Sequence, residues 1–347
     1  MTPGLRVISP GMQTTIQDLG RIGYQRFGVP VSGALDTVAL RAANALAGNS
    51  SDAAALEALY QGPVLEVLAE SIRVAVVGIG AGMEIAGEPA RRVPALRSVR
   101  LERGARVRVL VGSGALGAVL AVEGGIAIEP VLGSRATYVR AAIGGLDGRP
   151  LAAGDTLSVR QERAGDTADI MLATLDLPVA REVRVVLGPQ DDYFTPEAIA
   201  DFLGTTWRVS AQADRMGLRL EGPRLAHAKG YNIVSDGIAP GAIQVPGNGQ
   251  PIVLLADRQT SGGYPKIATV ASADLPALGR VLPGAEISFR AIDVETAEAA
   301  RCALESELAA LPSACIPVGA EIRPPDTARL LESNLVSGVV DAAADDW

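Results

Sequence analysis

The sequence predicts a mainly β protein. Three segments repeat one local grammar, "RGARVRVL" (103–110), "AGDTLSV" (153–159) and "PGAEISF" (283–289). In each, a Gly-containing turn launches a run with apolar residues at every second position, which turns one face inward. Four further runs read as strands: 72–77, 183–187, 218–220 and 252–256. Strands this short and this frequent suggest barrels or sandwiches, not alternating β and α units.

Helices are few, and each carries its own boundaries. "DTVALRAANALAGN" starts at a cap residue, Asp36, and stops at Gly48. "DAAALEALYQG" is expected to be a second helix, between Asp52 and Gly62. "TPEAIADFLG" has Thr195 as cap, Pro196 at the first helical position and Gly204 past the end. A longer Ala-, Glu- and Leu-rich helix spans about 293–311, followed by a Pro-rich stretch, a short helix and an acidic end. Residues 160–182 read as the join between two β-rich halves. The expected division is therefore 1–180, 181–292 and a helical, Pro-rich tail, 293–347.

Composition narrows the function. A chain of 347 residues has room for two domains at roughly 150 residues each. Aromatics are only 3%, so aliphatic side chains must fill the cores. The net charge of −8 argues against nucleic acid, whose phosphates need a basic surface. The N-terminus has no basic-then-apolar leader pattern, and the longest apolar stretch is broken by Glu123 and Glu129. A cytoplasmic protein without a membrane span is expected. Cys302 and Cys315 lack CxxC spacing, which excludes a disulfide framework. His227 is the sole histidine, and Lys229 and Lys266 are the sole lysines. No His-rich metal site can be built, so any catalysis must use carboxylates, Arg, Lys, hydroxyls and backbone N–H groups.

Common motifs fail on inspection. "VAVVGIGAGMEIAGEPARRVP" starts like a dinucleotide fingerprint, but Gly87, Pro89 and Pro94 stand where a helix is required, so a hairpin is expected. Neither lysine sits in a phosphate-binding Gly-Lys-Ser/Thr, and no Gly-x-Ser-x-Gly elbow exists. No Met-Lys-Met is present to carry covalent biotin. His227 reads as a surface or hydrogen-bonding side chain beside a turn. What remains is a set of polar residues among turns: Gln17, Asp18 and Arg21 in "TIQDLGRIGYQRFGVPVSGALD"; Asp214, Arg215 and Arg219 in "ADRMGLRLEGP"; Gln244, Gln250, Asp257 and Arg258 in "GAIQVPGNGQPIVLLADRQT"; and Lys266 in "TSGGYPKIATV". Arg suits bidentate binding of carboxylate or phosphate.

Taken in order, these stretches and "VEGGIAIEPVLGSRATYVRAAIGGLDGRPLAAGDTL", "LGPQDDYF" and "LPGAEISF" closely resemble one family over residues 5 to about 290. It is the biotin-dependent carboxyltransferase-like family, also called allophanate hydrolase subunit 2, which includes the 5-oxoprolinase C subunits and the KipA proteins. The resemblance implies two cyclophilin-like β-barrel units with a C-terminal helical appendage. It implies a C subunit that works with a B subunit (an allophanate hydrolase subunit 1 or KipI homologue) and an A subunit. Their joint reaction would be the ATP-dependent opening of 5-oxoproline to glutamate, with little activity in this chain alone. ATP and Mg²⁺ would be bound by or shared with the partner. The alternatives are a urea carboxylase-type carboxyltransferase module using a separate biotin carrier, and a KipA-type regulator antagonising a kinase inhibitor. By motif position, Arg21, Arg215 and Lys266 are the candidates for charge binding and catalysis. Asp18 and Asp36 would position Arg21 or a substrate N–H, Gln244 would bind a substrate amide, and Thr260, Gly262, Gly263 and Tyr264 would line the pocket. Within the opening segment, bracing is expected of Asp18 and substrate contact of Arg21.

Overall fold

A computed structural model describes residues 4–319. Strands between Gly4 and Leu172 build two sheets. One runs in the order Thr156–Ser158, Gly4–Ser9, Val64–Val67, Arg106–Leu110, Gly82–Ile85 and Arg91–Pro94. The other runs Gln13–Gln17, Ala55–Leu59, Gly117–Val122, Ser71–Val77, Arg97–Glu102, Ile170–Leu172 and Cys315–Pro317. Leu5, Val7, Leu65, Met83 and Val107 of the first sheet meet Ile16, Leu56, Val74, Val76 and Leu120 of the second in one core. Alternation along each strand supplies these inward positions.

The second sheet is buried on its other face as well. There Ala55, Ala75, Val77, Val119 and Ala121 pack under helix α1, Thr37–Leu46. Three of those five are Ala, which lets the helix lie close. Asp36 caps α1, accepting from Ala39 N at 2.9 Å, and Gly48 follows in the left-handed region at φ 70°. The expected helix at 52–62 is instead the strand Ala55–Leu59, with all five residues buried. It pairs with Gln13–Gln17 on one side and Gly117–Val122 on the other. Central sheet pairing overrides the helix propensity of Ala, Leu and Glu here. The glycine-rich segment after Ser71–Val77 forms the expected hairpin, Gly82–Ile85 with Arg91–Pro94, and no helix.

Residues Glu182–Ala291 form a closed seven-stranded barrel in the order Glu182–Leu187, Lys266–Val270, Ala242–Gln244, Ile252–Leu254, Gly217–Glu221, Trp207–Val209 and Glu286–Ala291. A parallel pair of the first and last strands closes it. Helix α2, Pro196–Gly204, caps one side, with Thr195 accepting from Ala198 N. Its Phe202 stacks on Phe289 with ring centres 4.6 Å apart. The core of this barrel also takes in Leu35, Leu59 and Leu116 from the first half, so the halves share an apolar junction.

Helix α3 is the single turn Leu275–Leu278, and helix α4 runs Val294–Ala314 from its cap Asp293. Leu308 and Leu311 dock α4 beside α1. The chain then adds Cys315–Pro317 to the outer edge of the first half, against Ile170–Leu172. Both cysteines are free. The short helix and acidic end expected beyond residue 319 lie outside the described residues. No helix among those described is long and apolar enough to cross a membrane.

Candidate functional site

The opening segment is the wedge between the halves. Asp18 is buried and its carboxylate is fully used, accepting from Gly20 N at 2.8 Å, Ser134 Oγ at 2.7 Å and Arg135 N at 2.5 Å. It orders two loops and makes no ion pair with Arg21. Arg21 is 1% exposed and donates to the Ala136 carbonyl at 2.5 Å, leaving Nε and Nη1 without partners. Burial lowers its pKa, partly offset by the fields of Asp18 and Asp257. Asp36, besides capping α1, holds Arg280 of the second barrel through two bonds of 2.6 and 2.8 Å. Asp36 therefore positions Arg280 and not Arg21.

Arg215 proves to be a brace. It is buried with Glu57 and Asp257, donating to Glu57 Oε2, to Asp257 Oδ2 at 2.9 Å and Oδ1 at 3.2 Å, and to the Gly33 carbonyl at 2.6 Å. Ser32 Oγ adds a 2.6 Å bond to Asp257. Desolvation pulls the Arg215 pKa down, but the two carboxylates more than restore it, so the net shift is upward. Burial pushes the Glu57 carboxyl up against the opposing pull of Arg215. With its donors committed to groups from both halves, Arg215 has little left for a ligand. Glu57 eluded sequence reasoning because its segment reads as a helix.

Lys266 is also 2% exposed, with Nζ 3.0 Å from Asp236 Oδ2. That contact pins the two-stranded flap Asp236–Gly237 with Ser261–Gly262. Thr260 and Gly263 belong to the same flap, their carbonyls accepting from Ile238 N at 3.0 Å and Ile233 N at 2.8 Å. His227 is a hydrogen-bonding side chain, its Nε2 3.0 Å from the Val245 carbonyl.

A concave site of about 370 Å³ opens at the barrel face beside this flap. Gln244 and Gln259 line its wall, Tyr264 and Asn248 its rim, and Arg219 and Arg140 supply positive charge. Arg140 reaches across from the first half to Asp214 at 3.1 Å, whereas Arg219 makes no ion pair among the described residues. The register between Ala242–Gln244 and Lys266–Val270 slips between Ile243 and Gln244, so one extra residue faces Gln244. Such bulges re-aim a side chain. Gly262 makes room for the result: a Cβ there would lie 2.8 Å from Gln244 Nε2.

Gln259 Nε2 donates to Gln244 Oε1 at 2.9 Å. This leaves Gln244 Nε2 as a buried donor and Gln259 Oε1 as a buried acceptor, both without partners. Exchanging O and N in both amides preserves the internal bond and still leaves one donor and one acceptor. The pair therefore holds one unpartnered donor and one unpartnered acceptor in the wall of the cavity. Of the residues expected at the site, Gln244 and Tyr264 line this wall and Gly262 shapes it. Gln259 and Asn248 were missed, although Gln259 directly follows the polar pair Asp257 and Arg258. Among the described residues no three His, Cys, Asp or Glu side chains gather as a metal-ligand set.

The family model described as carboxyltransferase domain, subdomain A and B, matches residues 27–291. The chain belongs to this carboxyltransferase-domain family. Within the family, it is 36% identical to the C subunit of 5-oxoprolinase from Escherichia coli over 86% of this chain and 94% of that one. Identity with the C subunit of 5-oxoprolinase from Haemophilus influenzae is 34% over 85% and 93%. The crystal structure of Kluyveromyces lactis urea amidolyase superposes with a TM-score of 0.81 and 28% identity over 90% of this chain. The carboxyltransferase-domain chain spans only 20% of that larger protein. The likeness supports the expected mainly β architecture.

Proposed function

We propose that this protein is the C subunit of an ATP-dependent 5-oxoprolinase, converting 5-oxo-L-proline to L-glutamate together with the A and B subunits. The observation that carries the reading is the unpartnered donor and acceptor of Gln244 and Gln259 in the cavity wall, in a chain related over most of its length to two 5-oxoprolinase C subunits. A five-membered lactam holds its C=O and N–H on the same side, which matches one donor beside one acceptor. Gln244 would donate to the lactam oxygen and Gln259 accept from the lactam N–H. Arg219 would take the substrate carboxylate.

A lactam amide resists water, and ATP with Mg²⁺ supplies its activation. No set of carboxylates on the described face would hold the metal alone, so the nucleotide and Mg²⁺ are assigned to a site shared with or supplied by the B subunit. The chain is then inactive alone, and no covalent biotin is needed. It acts in the cytoplasm on a small-molecule substrate. The test is co-expression with the A and B subunits and an assay of ATP-dependent glutamate release. An assembled complex that shows no turnover overturns the reading.

The likeness to urea amidolyase favours a second reading, a carboxyltransferase served by a separate biotin carrier. Urea also presents C=O beside N–H, but it has no carboxylate for Arg219. Carboxylation of urea dependent on a biotinylated protein, with no glutamate release from 5-oxoproline, would favour it.

A further inference from the structure

A second cavity, of about 600 Å³, lies between the halves and shares no lining residue with the Gln244 site. Leu19, Ile22, Val31, Leu255 and Leu275 make much of its wall apolar. Its polar side is unusual in charge. Arg41 from α1, Arg258 from the barrel and Arg301 from α4 line it, with Glu305 the one carboxylate among its lining residues.

Arg258 is the anomaly. It is 1% exposed, yet its three bonds go to neutral acceptors: Ile238 O at 3.1 Å, Gln25 Oε1 at 2.9 Å and Leu255 O at 3.4 Å. A guanidinium carries five N–H donors, so two remain open. Burial alone pushes its pKa down to about 10. Arg41 donates through Nη1 to Glu305 at 2.6 Å, and Arg301 pairs with the same Glu305. That leaves Arg41 Nε buried without a partner. An uncompensated buried cation is costly, and fold stability gives no reason to retain one beside an apolar cavity.

We propose that this cavity binds a small organic anion with an apolar body, whose carboxylate or sulfonate takes the open N–H groups of Arg258 and Arg41. The apolar wall receives the body and the two guanidiniums receive the head, the usual division of labour in small-molecule sites. Arg301 and Glu305 lie past residue 291, where the family match ends. One wall of the cavity is therefore built by this chain's own helix α4, outside the matched domain. The inference does not depend on the 5-oxoprolinase reading.

The test uses the full chain and 8-anilinonaphthalene-1-sulfonate, an apolar sulfonate whose fluorescence rises on burial, with decanoate and decanol as competitors. One saturable site is expected, displaced by decanoate at about tenfold lower concentration than by decanol. Arg41→Met should weaken probe binding by about tenfold while the circular dichroism spectrum is unchanged. Arg258→Met should do the same or more. Because Arg258 is buried and its loss can unfold the chain, the Arg41 variant decides if Arg258→Met does not fold. No saturable binding, equal displacement by decanol, or unchanged affinity in Arg41→Met would each overturn the proposal.

Discussion

Gln259 donates through Nε2 to Gln244 Oε1 at 2.9 Å, and each side chain thereby fixes the other with one buried polar atom left without a partner. Replacing Gln259 by Ala removes the acceptor and frees the donor to rotate. In the complex with the A and B subunits, kcat/KM for 5-oxoproline should fall about tenfold or more, the worth of one neutral hydrogen bond of about 1–1.5 kcal/mol plus lost orientation. Thermal stability should fall modestly, by about 1–3 kcal/mol for a buried Gln244 Oε1 left without its donor, with the fold retained. Full activity in a folded variant removes the pair from the site.

Gly262→Ala probes the same geometry without replacing a polar side chain. The added Cβ would sit 2.8 Å from Gln244 Nε2 and 2.9 Å from Ile238 Cδ1, both at the ends of movable side chains. The fold should adapt at a cost of about 1 kcal/mol or less, while the displaced Gln244 amide lowers kcat/KM. A large loss of stability with normal turnover would contradict this.

Arg215→Met should be a stability variant first. It strands Glu57 and Asp257 as buried carboxylates, and breaking a buried pair from one side costs about 3–5 kcal/mol. The denaturation midpoint should drop accordingly. The double variant Glu57→Gln, Arg215→Met should recover part of the loss. A fully stable Arg215→Met that lacks only activity would restore Arg215 to a substrate-binding role.

Arg219→Met should raise KM for 5-oxoproline and leave unfolding unchanged, because Arg219 has no ion-pair partner to strand among the described residues. If Arg219 instead serves ATP, the KM for ATP will move in its place.

A pH prediction comes from Asp155. Its carboxylate accepts from Arg149 at 2.7 and 2.9 Å and from Ala152 N at 2.7 Å. Its pKa is lowered, chiefly by the Arg149 hydrogen bonds, below an ordinary value of 3.8. A depressed carboxylate stabilises the fold above its unfolded pKa, and that contribution is lost as pH falls through the folded pKa. Asp155→Asn should therefore be less stable than the parent at neutral pH, with the gap closing below about pH 3.8. A gap that persists in acid would mean the loss is packing and not charge.

The strands, the caps at Asp36 and Thr195, and the rejection of a dinucleotide fold were legible because period-two alternation and capping chemistry are local. Ala55–Leu59 was not, since nothing in "ALEAL" announces that both neighbours in a sheet will bury it. The site was legible in its parts, and the partners of its charged residues were not. Charge suggested Arg215 and Lys266 as ligand-binding groups, yet Glu57 and Asp236 lie 158 and 30 residues away in the chain and claim them. Charge pairing between distant segments cannot be read from spacing. The neutral amides Gln244 and Gln259 matter because of what they leave unpaired, and only the assembled barrel shows that.

The pairing of Cys315–Pro317 with Ile170–Leu172 has a mechanical meaning. The chain leaves the first half just after Leu172, builds the whole second barrel and α4, and returns to the strand it left, with Leu172 opposite Cys315. The second barrel is thus moored by two lines at one pier instead of trailing from a single linker. Pull between the halves would load this three-residue clasp in parallel with the covalent crossing near residue 180. Cutting the chain after residue 292 would release one mooring and leave the barrel held by the crossing near residue 180 and by the junction of the halves.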